Sequence, residues 1–104
     1  MNAILCTEYA EDPQLAFGDL PALKPGPREI VVDVQVAAVS FMDVLMTQGR
    51  YQMKPPLPYV PGTDAAGLVS AIGAEVSRVG VGDRVACSHW HGTWAEQRTV
   101  REDG

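Results

Sequence analysis

A chain of 104 residues, 46% hydrophobic and 20% charged, has the composition of one small globular domain, at the short end of lengths that hold their own core. A formal net charge of −5 and a pI near 4.8 exclude a uniform basic surface of the kind that grips nucleic acid or anionic lipid. No apolar run approaches the ~20 residues of a membrane span. Met1 to Tyr9 lacks the basic start and long apolar stretch of a signal peptide, so a cytoplasmic setting is expected. There, Cys6 and Cys87 lie far apart with no C-x-x-C pair, and both are expected as reduced thiols.

Eight prolines and ten glycines favour short elements joined by turns over a helical bundle. In chain order, Ala3 to Thr7 is a short apolar strand. Asp12-Pro13 opens a turn into a second strand, Leu15 to Asp19. Pro21 to Pro27 is too rich in proline and glycine for helix or central sheet. Glu29 to Val39 is the longest periodic segment. Ile30, Val32, Val34, Val36 and Ala38 alternate with Val31, Asp33, Gln35, Ala37 and Val39, which predicts a half-buried antiparallel strand.

At Ser40 the period changes. Ser40-Phe41-Met42-Asp43 has the form of a capping box, and Val44, Leu45 and Met46 continue a helix over Phe41 to Gln48 that Gly49 can stop. Tyr51 lies just beyond. Met53 to Pro61, with four prolines, is expected as an extended, rigid surface segment. Val60 to Val85 then reads as strand, glycine turn, short strand, glycine turn, strand, with Ala65-Ala66-Gly67 small enough for another backbone or a ligand to come close. Gly80-Val81-Gly82 is a turn and no dinucleotide loop, because Asp83-Arg84-Val85 opens a strand where such a loop needs a third glycine and a helix. Ala86 to Gly92 ends a strand and enters a loop, Thr93 to Val100 is a last strand, and Arg101 to Gly104 carries no packing signal.

Pro61, Gly62, Asp64 and Gly67, followed by Gly73, Val76 and Gly82-Asp83-Arg84-Val85, resemble the P-G-x-E-x-x-G … G-x-x-V … G-D-R-V pattern of the medium-chain dehydrogenases/reductases. Upstream, Ala38-Val39-Ser40-Phe41-Met42-Asp43 with Gly49 and Tyr51 is similar to the G-V-N-F-x-D … G-x-Y pattern of the zinc-free quinone oxidoreductase branch. Trp94, Ala95 and Gln97 lie in a segment similar to the family's G-x-[YW]-A-E. The resemblance implies a mostly β, GroES-like, partly open barrel with one short helix, spanning residues 1–104 as the N-terminal domain of a longer enzyme. It also implies NADPH-dependent hydride transfer to a quinone or an α,β-unsaturated carbonyl, with a homodimer possible for the parent.

The same resemblance nominates Ser40 and Tyr51 as catalytic and cofactor contacts, and Thr63 as a further cofactor contact. Two plainer roles stand beside these: Ser40 as a helix cap only, and Tyr51 as an aromatic packed on the barrel. Zinc-dependent relatives carry cysteine at the position of Ser40 and G-H-E where this chain has Gly62-Thr63-Asp64. Neutral hydroxyls are poor Zn²⁺ ligands, so no metal is expected. Cys87, His89 and His91, at i, i+2 and i+4, could share a strand face and hold a metal; the plainer reading is a strand-end thiol and loop histidines near a substrate cleft. With no Rossmann glycine fingerprint to seat a pyrophosphate, residues 1–104 alone are expected neither to bind NADPH tightly nor to turn over. The rival expectations are a stand-alone binding or scaffold module without catalysis, and an enoyl-reductase-type member of the same superfamily.

Overall fold

The computed structural model describes residues 1–12, 14–51, 54–89 and 91–102. Expectations that touch Pro13, Met53, Trp90, Asp103 and Gly104 lie outside the described residues. Among the described residues, six strands and one helix follow in order: β1 (Asn2–Glu8), β2 (Gln14–Asp19), β3 (Glu29–Ala37), α1 (Phe41–Thr47), β4 (Asp64–Ile72), β5 (Arg84–Ser88) and β6 (Gln97–Arg101). β1 and β2 form an antiparallel pair, and the others an antiparallel sheet in the order β5-β4-β3-β6. Single bridges from Ala3 to Ala95 and from Cys6 to Tyr59 join the two layers into a partly open barrel. The mostly β, GroES-like class expected from the sequence is the one formed.

β3 is central, paired with β4 on one edge and β6 on the other. Its first half is buried on both faces, at Ile30, Val31 and Val32, which strict alternation does not predict. Register shifts at Val31/Val32 and Val34/Val36 break the period, so that Val36 turns out to solvent, 66% exposed, while Ala37 packs on the core. The main core comprises Ile30, Val32, Ala65, Val69, Cys87 and Val100. Full burial of a valine such as Val69 contributes roughly 1.5–3 kcal/mol. A second cluster, Cys6, Met46 and Tyr59, lies between β1 and α1, with Tyr9 and Tyr51 packed against it.

α1 begins and ends as its sequence dictates. Ser40 Oγ accepts from the Asp43 N–H at 3.3 Å, and the Ser40 N–H donates to Asp43 Oδ2 at 2.8 Å, completing the capping box. Gly49, at φ +72°, supplies the left-handed stop.

Three expectations require correction. Between Gly73 and Gly80 no strand forms: the Gly73 and Glu75 N–H groups bond the Glu29 and Pro27 carbonyls, tying this segment into turns, although Val76 and Val79 still pack on the core. The last strand starts at Gln97, because the Thr93 and Trp94 N–H groups donate to the Gly62 and Pro61 carbonyls instead of to a neighbouring strand. The proline segment is not wholly a surface one. Pro55, Tyr59 and Pro61 are buried, since Tyr59 and Cys6 exchange both backbone hydrogen bonds, at 2.8 and 3.1 Å.

Both cysteines are free and buried. No described helix is long and apolar enough to cross a membrane.

Gly67 and Gly80 carry opposite expectations. A Cβ on Gly67 would stand 1.9 Å from the Asp33 carbonyl oxygen on the adjoining strand, whereas one on Gly80 meets nothing within 4 Å. Gly67→Ala should therefore cost about 3 kcal/mol or more, and Gly80→Ala should stay within about 0.5 kcal/mol of the parent, measured by urea unfolding.

Candidate functional site

Four segments meet where β3 ends. The Ala38 N–H donates to the Asp64 carbonyl at 3.0 Å, and Trp94 Nε1–H donates to the Ala38 carbonyl at 3.0 Å. The His89 N–H donates to the Thr63 carbonyl at 2.8 Å, just past the end of β5. Ser40 is two residues beyond Ala38, and Thr63 is one residue before Asp64. At about 3.8 Å per residue, both hydroxyl-bearing residues are thus tethered close to one hydrogen bond. Ser40 is partly exposed, whereas Thr63 is only 5% exposed. Beside this rim opens a cleft of about 430 Å³, walled by Ala38, Asp64, Ala65, Ala66, Ala86 and Cys87. Small side chains on β4 and β5, with Ala38 just past the end of β3, leave that space.

Tyr51 is placed differently. It is half-buried beyond the other end of α1, against the cluster of Cys6, Met46 and Tyr59. A line of rings runs from that cluster back towards the rim. Tyr9 and Tyr59 have centroids 6.0 Å apart, Tyr59 meets His91 edge-on at 5.8 Å, and His91 lies 6.0 Å from His89. Ser40 and Thr63 therefore share a rim, and Tyr51 lies past the opposite end of the helix that Ser40 caps.

Tyr59 and Arg98 were not singled out from the sequence. Tyr59 is 4% exposed, and its hydroxyl has no hydrogen-bond partner among the described residues. Burial pushes that hydroxyl far above the ordinary tyrosine range, reinforced by Cys6, Tyr9 and Asp43. The sequence signal for it was its place among prolines, where an aromatic group has little conformational freedom to lose. Arg98 pairs with Val32 across β6 and β3, and the same period that sends Val100 into the core points to its inward position.

Cys87, His89 and His91 do not come together as a metal centre: no three His, Cys, Asp or Glu side chains do so among the described residues. β5 ends at Ser88, so strand geometry does not extend to the histidines. A positive charge stands there already. Arg98 acts electrostatically on all three, opposing the rise that burial imposes on the Cys87 thiol and adding to the fall that burial imposes on both imidazoles.

Residues 26–104 match the family model for the alcohol dehydrogenase GroES-like domain. Quinone oxidoreductase-like protein 2 of Rattus norvegicus is 42% identical over 97 residues, covering 92% of this chain and 27% of that protein. In structure, the quinone oxidoreductase of Pseudomonas syringae pv. Tomato DC3000 superposes with a TM-score of 0.85 at 33% identity, over 97% of this chain and 31% of that one. The Escherichia coli quinone oxidoreductase complexed with NADPH superposes with a TM-score of 0.88 at 27% identity, over 99% and 32%. The chain belongs to the alcohol dehydrogenase GroES-like domain family, in the quinone oxidoreductase branch of the medium-chain dehydrogenases/reductases. It spans about a quarter of the length of the quinone oxidoreductase-like relatives it matches.

The histidines carry a pH signature. Burial and Arg98 hold His89 and His91 below the ordinary imidazole value, and His89 further depresses His91. The unfolded chain, with imidazoles titrating near ~6.5, then binds more protons than the folded one just below that pH. Stability should be full above pH ~6.5 and fall as the pH drops towards the folded values. His91→Gln should flatten that fall, as read from urea midpoints between pH ~7 and ~5.5.

Proposed function

We propose that this chain is the catalytic-domain portion of an NADPH-dependent oxidoreductase that passes hydride to a quinone or an α,β-unsaturated carbonyl without zinc. The observation that carries this reading is the rim at the end of β3, with hydroxyls at Ser40 and Thr63 beside an apolar cleft of about 430 Å³, within the ordinary range for small-molecule sites. Similarity to quinone oxidoreductases, one of them complexed with NADPH, supports the cofactor and the acceptor class.

Zinc suits the rim poorly: Ser40 and Thr63 offer neutral hydroxyls, and among the described residues Cys87, His89 and His91 do not converge on a cation site, while the Arg98 charge acts on all three. An acceptor reduced there must already be electrophilic, as quinones and enones are. The residues present fit the nicotinamide end of NADPH. Ser40 Oγ accepts one bond from Asp43 and keeps its own O–H to donate, and Tyr51 offers a phenol beyond the helix. Thr63, being buried, would act mainly by shaping the floor. When bound, NADPH supplies the hydride; these residues orient it and help exclude water. The pyrophosphate finds no counterpart, since the N-terminus of α1 is closed by its own capping box and no glycine-rich turn precedes it.

The setting proposed is cytoplasmic, with residues 1–104 acting as one GroES-like domain of a larger polypeptide and a small molecule as the partner. A homodimer of that parent is part of the same proposal.

In the full polypeptide, Ser40→Ala and Tyr51→Phe should each lower turnover with a quinone while leaving thermal stability nearly unchanged. Each removes a hydroxyl worth about 0.5–1.5 kcal/mol, hence up to roughly tenfold. Steady-state kinetics that match the parent for both variants would leave Ser40 as a cap and Tyr51 as packing. Elemental analysis of protein purified without chelators should give far less than one zinc per chain; a stoichiometric amount would overturn the zinc-free reading.

A further inference from the structure

Arg98 is a half-buried cation that nothing in the described structure neutralises. Its Nε is buried without a partner, and neither ion pair of the described residues includes it. A guanidinium stays charged in proteins, and withdrawing part of it from water without a paired anion is unfavourable. Glu29 and the Cys87 thiol influence it through space without pairing with it. Burial keeps that thiol protonated, so it supplies no counter-charge. In the loop after β5, burial first and the Arg98 charge second favour the neutral forms of His89 and His91.

A cavity of about 300 Å³ is lined by the same group. Arg98, His91 and Gly92 stand on one side with Tyr59, whose buried hydroxyl is also unpartnered. The guanidinium lies against Gly92 so closely that a Cβ there would be 2.3 Å from Nη1. Leu20, Leu23, Pro58 and Val60 provide apolar wall. Ser40, Tyr51 and Thr63 do not line it.

We propose that this cavity binds a small-molecule carboxylate with an apolar body, its carboxylate paired with Arg98 and its body against Leu20, Leu23 and Val60. The planar guanidinium fork matches a carboxylate's two oxygens. A single guanidinium at this cavity, in a chain of net charge −5, suits a monoanion better than a phosphate dianion, and the apolar wall excludes a fully hydrated ion. This site is independent of the hydride-transfer reading.

The test is a nuclear magnetic resonance titration of the ¹⁵N-labelled chain at neutral pH with hexanoate, followed at Arg98 Nε–H and the Gly92 amide. Hexanamide, which keeps the body and removes the charge, is the control. The expected result is saturable shifts at both groups with a Kd on the order of 1 mM, and at least about tenfold weaker binding of hexanamide. In Arg98→Met the hexanoate response should weaken by at least the same factor. Linear, unsaturated shifts, an equal response to hexanamide, or an unchanged response in Arg98→Met would each overturn the proposal. If the variant does not fold, the comparison of hexanoate with hexanamide on the unaltered chain decides alone.

Discussion

The backbone contact between β3 and β4 is the constraint on which the other elements depend. β3 uses both edges, so its two neighbours are fixed by hydrogen bonds before any side chain is considered. At Gly67 the strands approach until the Asp33 carbonyl occupies the space a Cβ would need. The shifts in register beside that contact bend β3 and expose Val36. They also deliver Ala38 to Asp64, and with it the chain's entry into α1 through Ser40. The rim is where it is because β3 is the central strand and ends there.

That rim is chemically mild. Its hydroxyls can donate and accept hydrogen bonds, and neutral hydroxyls are poor Zn²⁺ ligands compared with thiolates and imidazoles. On the proposed reading, the reaction must draw its driving force from the acceptor and the cofactor, while the protein contributes position and a dry, small-walled cleft. Thr63 illustrates the division: its carbonyl anchors His89 and its side chain is buried, so its contribution is to shape.

Polar atoms without partners gather away from the main apolar core. Asp43 Oδ1, Tyr59 Oη, Thr93 Oγ1 and Arg98 Nε are all buried and unbonded among the described residues. Each such atom typically costs about 1–3 kcal/mol. Two of them belong to residues lining the cavity over Gly92, where an apolar wall meets a guanidinium and a phenol. The main core of Ile30, Val32, Val69 and Val100 contributes none.

The sequence by itself determined the elements whose rules are local. The helix from Phe41 followed from Ser40 and Asp43 three residues apart, and its stop from Gly49, because capping needs only neighbours in the chain. The turn at Gly80-Val81-Gly82 and the strands before Asp19 were legible for the same reason. Family motifs made the GroES-like class and the Ser40 and Thr63 positions readable, although what those residues do is a matter of proposal. Tertiary structure decided whatever depended on distant partners. Thr93 and Trp94 look like strand yet spend their N–H groups on Gly62 and Pro61. Val31 and Val36 exchange the burial that strict alternation would assign, because the shifts in register arise from the partner strand. Tyr59 is buried through its exchange of backbone hydrogen bonds with Cys6, more than fifty residues earlier in the chain. Arg98 becomes a half-buried cation only when β6 pairs with β3 and Gly92 comes against its guanidinium. A sequence carries the period of a strand; which backbone lies beside it, and therefore which charges are partly withdrawn from water, is settled only on closure of the barrel.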